Sequence, residues 1–388
     1  MGNDLKYNER GVSASKEEVY QAIKTLDPGL FPNAFCKIYP DFFLHDPEWC
    51  SIVHADGAGT KSSLAYLYWK ETGDLSVWRG IAQDSLVMNT DDLSCAGTAG
   101  PFLFSSIINR NKHLIPGEVL REIIEGTAAF IDKMNSFGIQ IKYMGGETAD
   151  LGDIVRTVTV DSTISCRMKR SNVVKNEIRP GNVIIGLASF GKSTYEEEYN
   201  SGIGSNGLTS ARHDVLTHEY YKKYPETFDL NTKEDLIYSG TKTVRDSFED
   251  APLNIGKLLL SPTRSYAPVL KVVLEKFQKH IHGLIHCSGG GQKKVMHYVN
   301  NLHVVKNNLF AVPYVFRLIQ SESKTRWQDM YQVFNMGHRL EIYCGELIAS
   351  EVISICAEFN IEARIIGKCF SSEEKKLTIE SDDGTFTY

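Results

Sequence analysis

The chain lacks the signals that mark several large classes of protein. None of its eight cysteines stands in a CxxC pair. Neither a zinc site nor a disulfide scaffold is therefore indicated, and reduced thiols packed as small hydrophobes are expected. No apolar run approaches the ~18 residues of a membrane span. The opening residues, MGNDLKYNERG, contain no apolar core, so no signal peptide is expected. Lys6 stands where a myristoylation motif wants Ser or Thr. Basic clusters are missing too: the net charge is −6 and the pI is about 6.0, so nucleic acid is not an expected partner. Low-complexity segments and short repeats are also absent. These readings describe a cytoplasmic protein that works away from membranes.

What is present is an ordinary globular balance over 388 residues, 42% hydrophobic and 23% charged. That length favours two domains. A turn-rich, polar stretch (KRSNVVKNEIRPGN, 169 to 182) places a boundary near 170. The expected domains are 1–169 and 170–388, the second carrying a charged, tyrosine-rich insert at 218–252. Helical periodicity appears at 13–26 (capped by Ser13 or Ser15, with Val19, Ile23 and Leu26 on one face), 62–70, 80–96, 116–137 and 266–280. Strand patterns appear at 34–40, 49–54, 101–109, 139–144, 155–168, 183–189 and 309–315. Strands and helices alternate in both halves, so the class is α/β or α+β.

Three stretches pair glycine with acid. "HADGAGTK" (54–61) puts Asp56, Gly57, Gly59, Thr60 and Lys61 between a strand and a helix. Free N–H groups at such a helix start favour phosphate, although the spacing is neither GxxxxGK[ST] nor GxGxxG; a tight turn with a surface lysine is the plain reading. In "DSLVMNTDDL" (84–93), Asp84 and Asp91 lie seven residues apart, about two helical turns, and share a face with Asp92 nearby. They either converge on Mg²⁺ or cap neighbours. "YMGGETAD" (143–150) ends a strand in Gly145 and Gly146, followed by Glu147, Thr148 and Asp150; a plain glycine turn is the alternative. Together, Asp56, Asp84, Asp92 and Glu147 supply oxygens and Lys61 a cation, a set suited to a Mg²⁺-bridged triphosphate.

These residues resemble the AIR synthetase (phosphoribosylformylglycinamidine cyclo-ligase) family, within the PurM-like superfamily of ATP-binding proteins. The family's DGVGTK is similar to 56–61, its D-x7-ND-L helix to Asp84, Asp91, Asp92 and Leu93, and its GGETAEM to 145–151. Its N-terminal Y-x3-GV resembles Tyr7, Gly11 and Val12. Further matches are Ser205, Asn206, Gly207, Ser210 and Arg212; Pro262, Thr263, Arg264 and Tyr266; His286, Ser288 and Gly289 to Gly291; and Met330, Tyr331, Phe334, Asn335 and Gly337.

The resemblance implies an α+β, PurM-like fold whose N-terminal domains share a β-barrel in a homodimer, with a C-terminal mixed sheet covered by helices. It implies ATP and Mg²⁺ as cofactors and a ribonucleotide substrate. Catalysis would fall to Asp56, Lys61, Asp92 and Glu147, with Asp56, Asp92 and Glu147 on the metal. Gly57, Gly59, Thr60, Asp84, Asp91, Gly145, Gly146, Thr148 and Asn206 would bind nucleotide. Arg212, Thr263, Arg264, Ser288, Gly289, Gly290 and Asn335 would meet the ribonucleotide.

The sequence also departs from the family. Gly204 stands where the family has a histidine, Gln292-Lys293-Lys294-Val295 follows the triple glycine, and MGHRLEIY replaces a small-residue segment. Gln292, Lys293, Lys294, His338 and Arg339 are alternative phosphate contacts, or else solvated surface groups. Two other readings stay open: a phosphotransferase with another acceptor, and a non-catalytic nucleotide-binding paralogue.

Overall fold

A computed structural model describes residues 6, 8–12 and 17–388. The N-terminal half is built on one five-stranded sheet. Its strands are β1 (Tyr39–Pro40), β2 (Trp49–Gly57), β3 (Phe102–Arg110), β4 (Ile141–Asp150) and β5 (Val158–Lys169), in the order β1-β2-β5-β3-β4. One face carries three helices, α2 (Lys61–Thr72), α3 (Val77–Cys95) and α4 (Gly117–Ser136), while α1 (Glu17–Ile23) precedes the sheet. β5 shows why one face is covered: its residues alternate buried and half-buried from Val158 to Met168, the period of a strand with one face on a core.

The C-terminal half is a seven-stranded mixed sheet. Its strands are β6 (Val183–Ala188), β7 (Ile281–His286), β8 (Leu302–Lys306), β9 (His338–Cys344), β10 (Ala363–Ser371), β11 (Lys376–Ser381) and β12 (Gly384–Thr387), ordered β12-β11-β8-β10-β6-β9-β7. Its helices are α5 (Leu208–Val215), α6 (Glu219–Lys223), α7 (Ile255–Leu260), α8 (Ala267–Phe277), α9 (Tyr314–Ser323), α10 (Trp327–Val333) and α11 (Ala349–Glu358). The fold is α+β, with two mixed sheets and their helices.

α3 is the shared axle. Sixteen of its nineteen residues are buried, so it is covered on every side. It touches β2 and β5 on one side and α8 and β7 on the other. Its acids therefore sit between the two sheets. The 218–252 insert folds onto the core: Tyr220, Tyr224, Phe228 and Tyr238 are buried with Tyr66 of α2.

Several expected elements differ. The 34–40 strand shrinks to the two residues of β1, and 309–315 is no strand. There the strand is β8, and Pro313, which has no N–H to give a sheet, instead caps α9. β4 runs on through GGETAD to Asp150 instead of ending at 144, with an irregularity opposite Phe104–Ser106. Ser13, Ser15 and Tyr7 lie outside the described residues. Val19, Ile23 and Leu26 do not bury a face; they are 53%, 45% and 57% exposed. The uncovered face of the N-terminal sheet is apolar as well, with Val53, Leu103, Ile107 and Met144 exposed. In one chain this sheet is open and no barrel closes.

Candidate active site

Four loops meet over α3: 57–60 after β2, 202–207 before α5, 261–265 before α8, and 286–291 after β7. Side chains from α3 and its neighbours hold them there. Lys61, fully buried, lies 2.9 Å from both carboxylate oxygens of Asp84 and donates to the carbonyls of Gly204 (3.2 Å) and Ser261 (2.6 Å). Asp84 also accepts from the N–H (2.7 Å) and hydroxyl (2.5 Å) of Thr263. Burial lowers the Lys61 ammonium, against the pull of Asp84, and the nearby Arg339 charge lowers it further. Lys61 therefore does not face an open phosphate site. Its three donors tie α2 to two C-terminal loops.

Asp91 likewise points inward. It accepts from Ser265 Oγ (3.0 Å) and the Tyr266 N–H (3.1 Å), and lies 3.4 Å from Arg339 Nη2. Burial pushes its carboxyl up, opposed by His286 and Arg339. Its neighbour Asp92 shifts the other way. Burial would raise it, but the His286 hydrogen bond, with the nearby Lys294 charge, outweighs burial and lowers it. Asp92 Oδ1 is 2.6 Å from His286 Nδ1, and Oδ2 is 3.4 Å from His54 Nε2. The other His286 nitrogen, Nε2, accepts from Arg339 Nε at 2.9 Å. A guanidinium N–H can only donate, so the His286 proton sits on Nδ1 and is given to Asp92.

The rim is more open. Asp56 is half-exposed, and its Oδ1 accepts from the Gly57 N–H at 2.7 Å. A Cβ on Gly57 would fall 2.0 Å from Asp161 Oδ1, so a larger residue there would force that side chain to move. Thr60 caps α2 and bonds Thr209 of α5 through their hydroxyls (2.8 Å). Neither helix has an acid in its first turn, so two helix starts meet with their partial positive charge unopposed. Gly59 is exposed, while Ser205, Asn206, Gly289, Gly290 and Lys294 are half-buried along the same rim.

Other expected residues do not join. Glu147 faces Ile107, Ile107 faces Asp161, and Asp161 faces Gly57, one row across the sheet. The adjacent row, Asp56, Ser162, Ser106 and Gly146, is the helix-covered one, since Ser162 bonds Ser85 of α3. Glu147 therefore points to the opposite face from Asp56, three strands and about 14 Å away. Gly145, Gly146 and Thr148 share that edge position and are exposed. Among the described residues, no three His, Cys, Asp or Glu side chains converge to hold a metal, so the Asp56, Asp92 and Glu147 set does not form within one chain.

The expected substrate contacts are largely internal. Arg212 holds the insert through Thr227 O (2.6 Å) and Tyr238 OH (3.1 Å). Arg264 clamps Glu196 and the carbonyls of Ala188 and Phe190. Asn335 joins Ser189 and Gly202. Thr263 is held by Asp84, and Ser288 is buried beside His286. Gln292 and His338 are buried in a network with Lys306 and Glu341 and meet no surface. Sequence reasoning passed over His54, although its spacing of two from Asp56 on a strand already put both on one face.

A model of the AIR synthase related protein N-terminal domain matches residues 39–168, and one of the C-terminal domain matches 179–380. The chain belongs to the AIR synthase-related family. Curated relatives named phosphoribosylformylglycinamidine cyclo-ligase include those of Methanococcus vannielii (29% identical, 86% of this chain and 82% of the relative) and Staphylococcus carnosus (29%, 84% and 81%). The Methanocaldococcus jannaschii relative is 27% identical over 96% of this chain and 92% of its own. Among solved structures, a HypE–HypF complex aligns with TM-score 0.57 at 13% identity, covering 96% of this chain and 97% of that chain. AaThiL complexed with AMPPCP and TMP aligns at 0.54 and 11%, covering 96% of both. These AIR synthase-related and PurM-like likenesses agree with the α+β fold. Among the described residues, no helix is long and apolar enough to cross a membrane.

Proposed function

We propose that this chain is an ATP-dependent cyclo-ligase that converts formylglycinamidine ribonucleotide to aminoimidazole ribonucleotide, ADP and phosphate. The observation that carries this reading is the convergence of the family's motifs at 56–61, 84–93, 205–207, 262–266 and 286–291 on one cleft over α3, with the 145–151 motif apart at the far edge of the sheet. In the reaction, the formyl oxygen attacks the γ-phosphorus of ATP and ADP leaves. An amidine nitrogen of the same substrate then attacks the activated carbon, closing the ring, and the phosphorylated oxygen departs as phosphate. The chain's part is to position and to balance charge. Lys61 with Asp84, and Asp91 with Arg339, lock the loops around α3. Asp92 holds His286 in one tautomer. The paired starts of α2 and α5 offer N–H groups to phosphate, and the structurally similar AaThiL is complexed with the nucleotide analogue AMPPCP.

Magnesium bound to ATP would neutralise phosphate charge, and Asp56, on the open rim, is the carboxylate that would meet it. Glu147, Gly145, Gly146 and Thr148 act at this cleft only if a second copy brings them there. The exposed apolar sheet face and the exposed Val19 and Ile23 of α1 fit a homodimer that covers them. The test is direct: purified protein, Mg²⁺, ATP and formylglycinamidine ribonucleotide should yield aminoimidazole ribonucleotide and ADP. Nucleotide binding without product would sink the ring-closing reading and leave a phosphotransferase with another acceptor. Asp56→Asn should abolish turnover in a folded protein; surviving turnover would refute its assignment.

A further inference from the structure

One buried charge in the cleft is incompletely used. Arg339, on β9, is 2% exposed. Its Nε is taken by His286, and its Nη2 by Asp91 and the Arg264 carbonyl. The guanidinium also lies 5.1 Å from the ring centroid of Tyr266. Its Nη1 has no hydrogen-bond partner, although it is buried. Buried donors are almost always paired, and one on a charged group is the costliest to leave unmade. What stands before it is Gly204. A Cβ on that residue would lie 3.7 Å from both Cδ and Nη1 of Arg339, so the missing side chain leaves a slot in front of the nitrogen. Gly204 has φ +70°, and its carbonyl is held by Lys61, so the slot's wall is set in place.

We propose that Arg339 is a ligand-contacting residue whose Nη1 takes an anionic phosphoryl oxygen in the slot beside Gly204. The assignment rests on the ring-closing reading for the identity of the reactants, but not for the slot. Three anchors and the tyrosine face hold the guanidinium, so it needs no rearrangement to donate. Two of the three places where the sequence leaves the family pattern, Gly204 and the segment after Asn335, thus meet at one point. A cation arriving from β9 serves a loop that has no side chain of its own there.

Gly204→Ala tests this by filling the slot; the backbone strain it adds at φ +70° is read in the unfolding measurement. Arg339→Lys tests it from the other side. For each variant, far-ultraviolet circular dichroism and thermal unfolding establish the fold. Calorimetry then measures AMPPCP and formylglycinamidine ribonucleotide separately, and steady-state kinetics follow. The expected result is a loss of about a hundredfold in kcat/KM. Weakened binding of AMPPCP alone would assign the oxygen to the nucleotide, and weakened binding of the ribonucleotide alone would assign it to that phosphate. A fall in kcat with both affinities kept would assign it to the phosphoryl group in transfer. A folded Gly204→Ala protein with both dissociation constants and kcat within twofold of the parent overturns the proposal. A parent that binds AMPPCP but closes no ring defeats the cyclo-ligase reading instead, and the binding comparison still decides on Arg339.

Discussion

Lys61→Met separates two roles for this lysine, one facing phosphate and one joining the two halves of the chain. In the structure its ammonium is fully buried, 2.9 Å from both Asp84 oxygens and bonded to Gly204 and Ser261. Methionine keeps most of the volume but removes the charge. Asp84 then stays buried with only Thr263 donating to it, and breaking such a pair from one side costs about 3–5 kcal/mol. The two abandoned carbonyls add about 1 kcal/mol each. The sum, about 5–7 kcal/mol, is a large share of the roughly 5–15 kcal/mol that holds a protein folded. Lys61→Met/Asp84→Asn removes the stranded charge, and its cost should fall below the sum of the single variants by about 2 kcal/mol or more. Guanidinium unfolding, followed by far-ultraviolet circular dichroism and tryptophan fluorescence, measures all four proteins. If Lys61→Met unfolds within about 0.5 kcal/mol of the parent while losing nucleotide affinity, the joining role is wrong and the lysine faces ligand.

Three further outcomes are expected. Burial would raise the Glu341 carboxyl, but Lys306 and His338 outweigh it and hold it at about 2, against 4.5 unperturbed. That contribution, about 3 kcal/mol, is present above pH 4.5 and is lost as pH falls from there toward 2; Glu341→Gln should flatten this part of the stability–pH curve, and an unchanged curve would refute the pairing. Asp92→Ala removes the acceptor that orders His286 and should lower kcat about a hundredfold in a folded protein; parental kcat would show that the tautomer does not matter. Leu103→Glu places a charge on the uncovered sheet face and should shift light-scattering mass from dimer to monomer. A parent already monomeric at micromolar concentration removes the case for that interface.

Much of the fold was legible locally. The stripe Val119, Ile123, Ile131 and the glycine after it mark α4 without help, and the alternation at 158–168 marks β5. The misreadings have local causes as well. An apolar run such as 309–315 looks the same before a helix as in a strand, and GGETAD looks like a turn until a neighbouring strand pairs with it. The site was legible as a set of residues, though not as an arrangement. Asp84 and Asp91 do share a face of α3, as their spacing demands, but that face is closed by Thr263, Ser265 and Tyr266 of the other half.

By itself, the sequence determined which segments become helix or strand, where glycine lets the backbone turn, and that acids and cations gather in a few short motifs. These follow from side-chain periodicity and backbone sterics, which act over a few residues. The tertiary structure alone decided which charges meet each other and which stay on the open rim. Lys61 finds Asp84 and Ser261, Asp92 finds His286, and Gly204 opens before Arg339, across separations of 23 to 200 residues. A carboxylate's partner sets its charge, its exposure and its role, and that partner is chosen by packing rather than by neighbours in the chain.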